Sequence, residues 1–539
     1  GRQRLAARGT TPAALADALG SWLAGARPAT VTTGTPPRDA AVRTGFLFTG
    51  QASPYPGMAR PLYARFPAVR EVLDTCERHY RELHGGTLLG GLLGTETEGA
   101  VPEVWPTDTA QPALFALQCA LVRLWRDAGV TPAAVAGHSV GEYAALYAAG
   151  ALSLEDGLRL TAERGRLMRL YCAEGGMVAV PVDRGTAEAL AADVPGIEVA
   201  VANGERSHVL AGPVTAVEKL SALLEERGIR GERLPVDRAF HTVLTAPVLE
   251  PLRAVLGGVA FRPVTVPFAS GLDGRVRAPG WTPDADYLVR HTREPVRFDE
   301  ALRGVAAADA LAENAVGNAV ETLIEIGPHT TLSGLARRAL PDVRAVPTLR
   351  RGAGLDALWS AVAELHCAGV ELDWRTLVAG TGGRRIPLPG YRFQHKDYWT
   401  GPEPTAVRSG TSVRKGTVVV QHEAAVERVL RHIVELTARH LSHDPADITG
   451  DTSFFDLGAD SLQMISVLRE LEQEHRVKVS MRELFEETGT PRALAELIAA
   501  RGGGAEAGAT TPVAPAPAVA YAQPAAAAPA PAVVAAPAV

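Results

Sequence analysis

From Thr44 to about Arg350 the chain alternates short apolar runs with amphipathic stretches of helical period. That pattern demands a sheet covered by helices, an α/β domain. Inside it, residues 176–238 read as strand (GMVAVPV), helix (TAEALAADV), two strands (IEVAVANG and SHVLAGP), helix (VTAVEKLSALLEERG) and strand (GERLPV). The order βαββαβ is that of a ferredoxin-like subdomain. At 539 residues the chain has room for three or more units of ordinary size, about 100–200 residues each.

The flanks read differently. Residues 1–43 hold one short helix, Thr11 to Leu23, followed by a polar Pro/Thr-rich stretch over 26–40. Residues 351–402 carry one more helix and an extended basic-aromatic segment, RRIPLPGYRFQHKDYW. Residues 403–423 are loop-like, 424–501 form a helical unit, and 502–539 are almost wholly Ala, Pro, Gly and Val. That tail is too poor in large apolar side chains to pack. Its prolines make it a semi-rigid linker, which implies a neighbouring domain.

Composition narrows the classes of function. A hydrophobic content of 46% supports packed cores over most of the chain. Fifty-four basic against 60 acidic side chains give a net charge of −6, without the basic surplus that nucleic-acid binding needs. The acid is concentrated: residues 425–500 hold 14 acidic and eight basic side chains, so the rest sums to about zero. A small acidic unit suits docking on positive patches of several partners. The dispersed Cys76, Cys119, Cys172 and Cys367 suit neither a disulfide framework nor a structural zinc site. No signal sequence and no run of about 20 apolar residues is present. A cytoplasmic chain cut from something longer is expected, with no metal site, no nucleic acid and no membrane among its partners.

Chemistry concentrates first in VAGHSVGEYAAL (135–146), where Gly137-His138-Ser139-Val140-Gly141 is a G-x-S-x-G. That pattern builds a strand–tight turn–helix elbow that projects a serine hydroxyl, with the helix N-terminus favouring developing negative charge. A serine nucleophile needs a base, and Asp237-Arg238-Ala239-Phe240-His241-Thr242 supplies a histidine between a strand and a helix. Arg164, near the end of an amphipathic helix, could hold a substrate carboxylate in a bidentate pair; the plainer reading is a solvated helix charge. FLFTGQASPYPGM (46–58) is a hydrophobic strand ending in a Gly-Gln turn that can offer a backbone N–H to an oxyanion.

Together these four segments, in this order, resemble the acyltransferase domain of type I polyketide synthases and the related malonyl transacylases of fatty-acid synthesis, over residues 44–350. The resemblance implies an α/β-hydrolase-like core with an inserted ferredoxin-like subdomain. It implies that Ser139 is the acylated nucleophile, His241 its general base and Arg164 the anchor of the acyl carboxylate. By the same resemblance the backbone amides of Gln51 and Val140 form the oxyanion hole. Two departures stand out: the usual glutamine-loop pattern GQGSQ is GQASP here, and Thr242 stands where serine is usual.

A second serine follows. TSFFDLGADSLQMISVLREL (452–471) places Ser461 between a Gly-Asp loop and a helix, with Leu462, Ile465, Leu468 and Leu471 along one face. An earlier helix sets Val426, Val429, Leu430, Ile433 and Leu436 on one face, and a later one opens on Thr490 as N-cap and Pro491. By propensity alone Ser461 is an ordinary N-cap. The LGADSL motif in an acidic helical unit resembles the acyl-carrier family, which implies a four-helix bundle with 4′-phosphopantetheine covalently on Ser461. Asp460 would then be recognised by a phosphopantetheinyl transferase. LPGYRFQHKDYW (388–399) is similar to the segment that follows acyltransferases in these synthases, and residues 1–43 to the end of a ketosynthase-to-acyltransferase linker. Ketosynthase and other synthase domains are therefore the expected neighbours.

The resemblance implies a two-step transfer from an acyl-CoA to Ser139 and on to the carrier thiol. Val140, bulky Phe240 beside the histidine, and Thr107-Asp108-Thr109-Ala110-Gln111 all match malonyl-type relatives, so malonyl-CoA is the expected substrate. Three alternatives stay open: a methylmalonyl or other substituted extender; a serine thioesterase or hydrolase, which would want an acidic third member behind its histidine; and a carrier segment whose acyltransferase is inactive.

Overall fold

The computed structural model describes residues 3–37, 41–51, 54–95, 105–308, 319–381, 419–441, 443–454, 457, 459, 461–475, 477–479 and 489–502. Two strands open the chain, β1 (Arg4–Ala7) and β2 (Val31–Gly34), paired antiparallel around the Pro12–Leu23 helix. Thr11 caps that helix, its hydroxyl accepting from the Ala14 amide at 3.1 Å. The polar Pro/Thr-rich stretch over 26–40 thus holds a strand. Val31, Thr32 and Thr33 are β-branched, and β2 lies on the Asp356–Ala368 helix, where the Cys367 thiol donates to the Thr32 carbonyl at 3.3 Å.

The main sheet is built from β3 (Thr44–Phe48), β4 (Ala134–Gly137) and four strands met later in the chain. Every residue of β3 and β4 is buried, which is why they read as continuous apolar runs rather than alternating ones. A second sheet begins with β5 (Gly175–Val180), β6 (Glu198–Gly204), β7 (Ser207–Pro213) and the two-residue β8 (Glu232–Arg233). The chain then returns to the main sheet through β9 (Phe268–Ala269) and β10 (Val276–Arg277). It visits the second sheet once more through β11 (Val296–Arg297) and completes the main one with β12 (Thr322–Ile326) and β13 (Arg344–Pro347).

The main order is β10-β9-β4-β3-β12-β13, all neighbours parallel except β10. The second order is β11-β6-β7-β5-β8, antiparallel except for β11 on β6. Its helices, Arg184–Asp193 and Val214–Glu226, cover one face with their own core of Val178, Leu190, Leu210, Val217, Leu220 and Leu224. In sequence these elements run strand, helix, two strands, helix and strand, the last shorter than GERLPV suggested.

Register decides where a site can form. Phe48 pairs with Gly137, so the C-terminal ends of β3 and β4 stop side by side. Turns leaving parallel strands at that edge line the crevice in which α/β proteins place their ligands.

A separate core belongs to the helices Val419–Leu441, Ser461–His475 and Pro491–Gly502. The first begins inside the segment read as loop. Val426, Val429, Leu430, Ile433 and Leu436 are buried on one face, as their spacing predicts. Leu468 and Leu471 are buried with Met464 and Val467 on the next helix. His440 meets Glu470 while His432 meets His475, so these two helices run antiparallel. Thr490 caps the last helix, accepting from the Ala493 amide at 3.3 Å. Asp460, the 388–399 segment and the tail beyond Gly502 lie outside the described residues.

Candidate active site

Ser139 follows β4 directly and precedes the Gly141–Ala148 helix. Its φ is 50°, in the left-handed region that costs a non-glycine residue about 1–3 kcal/mol. The turn closes only because its flanks are glycine. A Cβ on Gly137 would stand 2.2 Å from the Glu142 nitrogen, and one on Gly141 2.3 Å from the Phe48 carbonyl oxygen. The His138 amide donates to that same Phe48 carbonyl at 2.8 Å, joining the elbow to the end of β3.

His241 meets the serine: Ser139 Oγ and His241 Nε2 are 2.7 Å apart. His241 is buried and also strained, with φ 59°. Thr242 stabilises that turn, its hydroxyl donating to the Ala239 carbonyl at 2.7 Å and accepting from the Leu244 amide at 3.3 Å. Thr242, where serine is usual, thus holds the turn through its hydroxyl. His241 Nδ1 lies 3.1 Å from the Glu294 carbonyl oxygen. A carbonyl only accepts, so Nδ1 carries the proton and Nε2 is left as the acceptor for the serine hydroxyl. Burial, then the positive Arg164 and the ring of His138, push the His241 pKa down to about 3. The imidazole is therefore neutral across the physiological range, with the Nε2 lone pair facing the serine hydroxyl.

Arg164 is not a solvated helix charge. It lies on the Leu154–Tyr171 helix at 1% exposure, and no carboxylate lies within salt-bridge distance among the described residues. Nη1 donates to Gln111 Oε1 at 2.7 Å, Nε reaches Thr292 Oγ1 at 3.4 Å, and the guanidinium sits 5.7 Å from the Tyr143 ring centre. Nη2 is buried with no hydrogen-bond partner among the described residues. A buried cation without a counter-ion is costly, and one guanidinium edge left open is a place for a carboxylate.

Gln51 lies in the turn after β3, its side-chain Oε1 accepting from the Thr107 hydroxyl at 2.9 Å. No acceptor among the described residues takes the backbone N–H of Gln51 or of Val140. Phe240 and Val140 are both buried at the elbow's flank.

Other contributors carry weaker marks in the sequence. Thr107 and Gln111 stand out only as part of TDTAQ; they lie one turn apart at the start of the Thr107–Asp127 helix. Glu294 contributes a carbonyl, which no side chain announces. His138 Nε2 bridges to Asn203 Oδ1 of β6 at 2.8 Å, linking the elbow to the second sheet. Glu142 is fully buried, accepting from the Gly271 amide at 2.9 Å and from the Tyr287 hydroxyl, and burial raises its carboxyl pKa to about 8. It ties the elbow helix to the turn after β9 and does not serve as an acid behind His241.

Residues 45–372 match the family described as acyl transferase domain, which covers more than half of the chain. This chain belongs to the acyl transferase family. Residues 431–498 of the same acyl transferase chain match a phosphopantetheine attachment site, so the domain pair is an acyltransferase followed by a carrier. The acyltransferase of the second module of the salinomycin polyketide synthase superposes with a TM-score of 0.63 at 33% identity, covering 72% of this chain and 88% of that one. MCAT from Streptococcus pneumoniae does so at 0.50 and 31%, over 60% of this chain and 99% of that one. The polyketide synthase GfsA of Streptomyces halstedii is 36% identical over 88% of this chain. The erythronolide synthase EryA3 of Saccharopolyspora erythraea is 35% identical over 69% of it. This acyltransferase chain spans only 6% and 11% of those two synthases. Among the described residues no helix is long and apolar enough to cross a membrane.

Proposed function

We propose that this chain takes a malonyl group from malonyl-CoA onto Ser139 and passes it to its own carrier unit at Ser461, as the extender-loading step of a polyketide synthase. The observation that supports the substrate class best is Arg164: a dry guanidinium with no counter-ion among the described residues and with Nη2 open, near enough to His241 for its charge to lower that imidazole's pKa. An acyl group that carries its own carboxylate supplies the missing anion.

The steps follow from the side chains. His241 Nε2 takes the Ser139 proton as Oγ attacks the thioester carbonyl, while the Glu294 carbonyl holds the ring in the correct tautomer. The Gln51 and Val140 amides receive the oxyanion. His241 then protonates the leaving CoA sulfur, and in the second half-reaction Nε2 again accepts and returns one proton. Phe240 fills the space that an α-methyl group on the acyl chain would need, which favours malonyl over methylmalonyl. Because a carbonyl stands where a hydrolase would place a carboxylate, and Arg164 has no use in a plain hydrolase, the transferase reading is favoured.

Ser461 is the first residue of a 15-residue helix, and that N-terminus favours the negative charge of a phosphodiester. The residue therefore fits 4′-phosphopantetheine, whose contribution when bound is a thiol on a long arm; a phosphopantetheinyl transferase would install it. We take 44–350 as the acyltransferase body, with an α/β-hydrolase-like core and 176–238 as a ferredoxin-like insertion, supported by the strand order β6-β7-β5-β8. The flanks 1–43, 351–402 and 403–423 are linkers to it, 424–501 the four-helix carrier and 502–539 the linker onward to further synthase domains.

Replacing Arg164 with Ala tests the substrate class. It is expected to cut kcat/KM for malonyl-CoA by about 10²–10⁴-fold, the size of losing one partner of a buried ion pair. Unchanged malonyl transfer would remove the carboxylate-anchor role.

A further inference from the structure

Four side chains link the carboxylate anchor to the oxyanion turn without a gap. Arg164 Nη1 donates to Gln111 Oε1 at 2.7 Å, Gln111 Nε2 to Thr107 Oγ1 at 2.8 Å, and Thr107 Oγ1 to Gln51 Oε1 at 2.9 Å. The direction of the first two links is forced, and the Gln51 amide, with its oxygen toward Thr107, continues it. A guanidinium has no acceptor, so Gln111 turns its oxygen to Arg164 and its amide group to Thr107. The Thr107 hydroxyl, already accepting, gives its only proton to Gln51. Every bond therefore donates away from Arg164 and toward the turn after β3.

The helices are built to hold this line. Thr107 and Gln111 are four residues apart and share a helix face. Gly165, next to Arg164, lets that face come close: a Cβ there would stand 2.5 Å from the Thr107 carbonyl oxygen. Thr107, Gln111 and Arg164 are all buried, so the first two links do not compete with bulk water, and the third reaches the half-buried Gln51.

We infer that Thr107 and Gln111 are positioning residues that couple occupation of Arg164 by the acyl carboxylate to placement of the Gln51 amide at the oxyanion. A carboxylate on Nη2 fixes the guanidinium, which fixes the Gln111 amide, the Thr107 hydroxyl and finally the turn that carries Gln51. The inference rests on the malonyl reading above. Its consequence is that an acyl group without a carboxylate is processed slowly even when bound, because the oxyanion donor is left loose.

The test is a double-mutant cycle on the full chain, following Ser139 acylation from malonyl-CoA by rapid quench and intact mass. Thr107→Val is expected to lower the acylation rate at saturating malonyl-CoA about 10–100-fold with KM changed less than about threefold, since the hydroxyl touches no substrate. In an Arg164→Ala background the same change is expected to cost less than about twofold, as coupled sites require. Thr107→Ser is expected to restore most of the rate. Gln51→Leu, which removes the far acceptor and keeps the backbone amide, should behave like Thr107→Val and add nothing to it, and stands in if the valine variant does not fold. Equal fold-losses in both backgrounds, an effect on KM alone, or no recovery with serine would overturn the coupling. A wild-type chain that takes no acyl group from malonyl-CoA would instead remove the function reading itself.

Discussion

Two serines stand at the starts of helices under opposite conditions, Ser139 in the turn before one and Ser461 as the first residue of another. Ser139 is held at φ 50° between glycines that leave no room for a side-chain carbon, with its hydroxyl 2.7 Å from a buried, equally strained histidine. Ser461 starts a regular helix of a small unit, whose last helix begins just after Gly489, where an added Cβ would meet nothing within 4 Å. The difference teaches what each chemistry needs. A nucleophile has to be fixed against its base and its oxyanion donors before substrate arrives. An attachment point needs to be reached, modified and carried elsewhere, and strain would add nothing.

The contrast can be broken at the base. His241→Ala is expected to slow Ser139 acylation by about 10²–10⁴-fold, read by rapid-quench mass spectrometry, while the modification of Ser461 by a phosphopantetheinyl transferase proceeds as before. Loss of both would mean that the two serines are not independent. Stability sharpens the contrast next. Gly141→Ala is expected to cost about 3 kcal/mol in denaturant unfolding, because backbone oxygen cannot yield to the new carbon, whereas Gly489→Ala should stay within about 0.5 kcal/mol.

Specificity is a smaller effect. Phe240→Ser is expected to narrow the preference for malonyl-CoA over methylmalonyl-CoA by about 10–200-fold in competing kcat/KM, the range one methyl group commands. An unchanged ratio would move the discriminating contact elsewhere. Acidity comes last. With His241 at about 3 in the fold against 6.5 for an ordinary imidazole, the unfolded chain binds more protons between those values. Stability is therefore complete above pH 6.5 and falls as pH drops toward 3, by up to about tenfold in the folding equilibrium per pH unit for this group. The acid limb of kcat/KM for acylation should likewise lie well below pH 6.5; a limb at 6.5 would show an ordinary, solvated base.

Much of this is legible in the residues alone, and the exceptions share a cause. Ser139 and Gly141 are marked because only small residues close the elbow, and β3 and β4 because parallel buried strands are apolar throughout. The carrier helices show because their buried faces repeat at helical spacing. Glu294 acts through a carbonyl, so its identity carries no signal. Thr107 and Gln111 are visible as a pair, but their partners, Gln51 and Arg164, lie 56 and 53 residues away in sequence and meet them only in the fold. The strand at Val31–Gly34 is hidden by its Pro/Thr-rich surroundings, and is specified by the helix it packs on rather than by local pattern.

The most direct test of the account is intact mass spectrometry of the phosphopantetheinylated chain after incubation with malonyl-CoA, beside its Ser139→Ala and Ser461→Ala variants. Malonyl adducts are expected on both sites of the parent chain, on Ser139 alone in Ser461→Ala, and on neither site in Ser139→Ala. A carrier that still loads in Ser139→Ala, or a parent chain that takes up no acyl group, would contradict it.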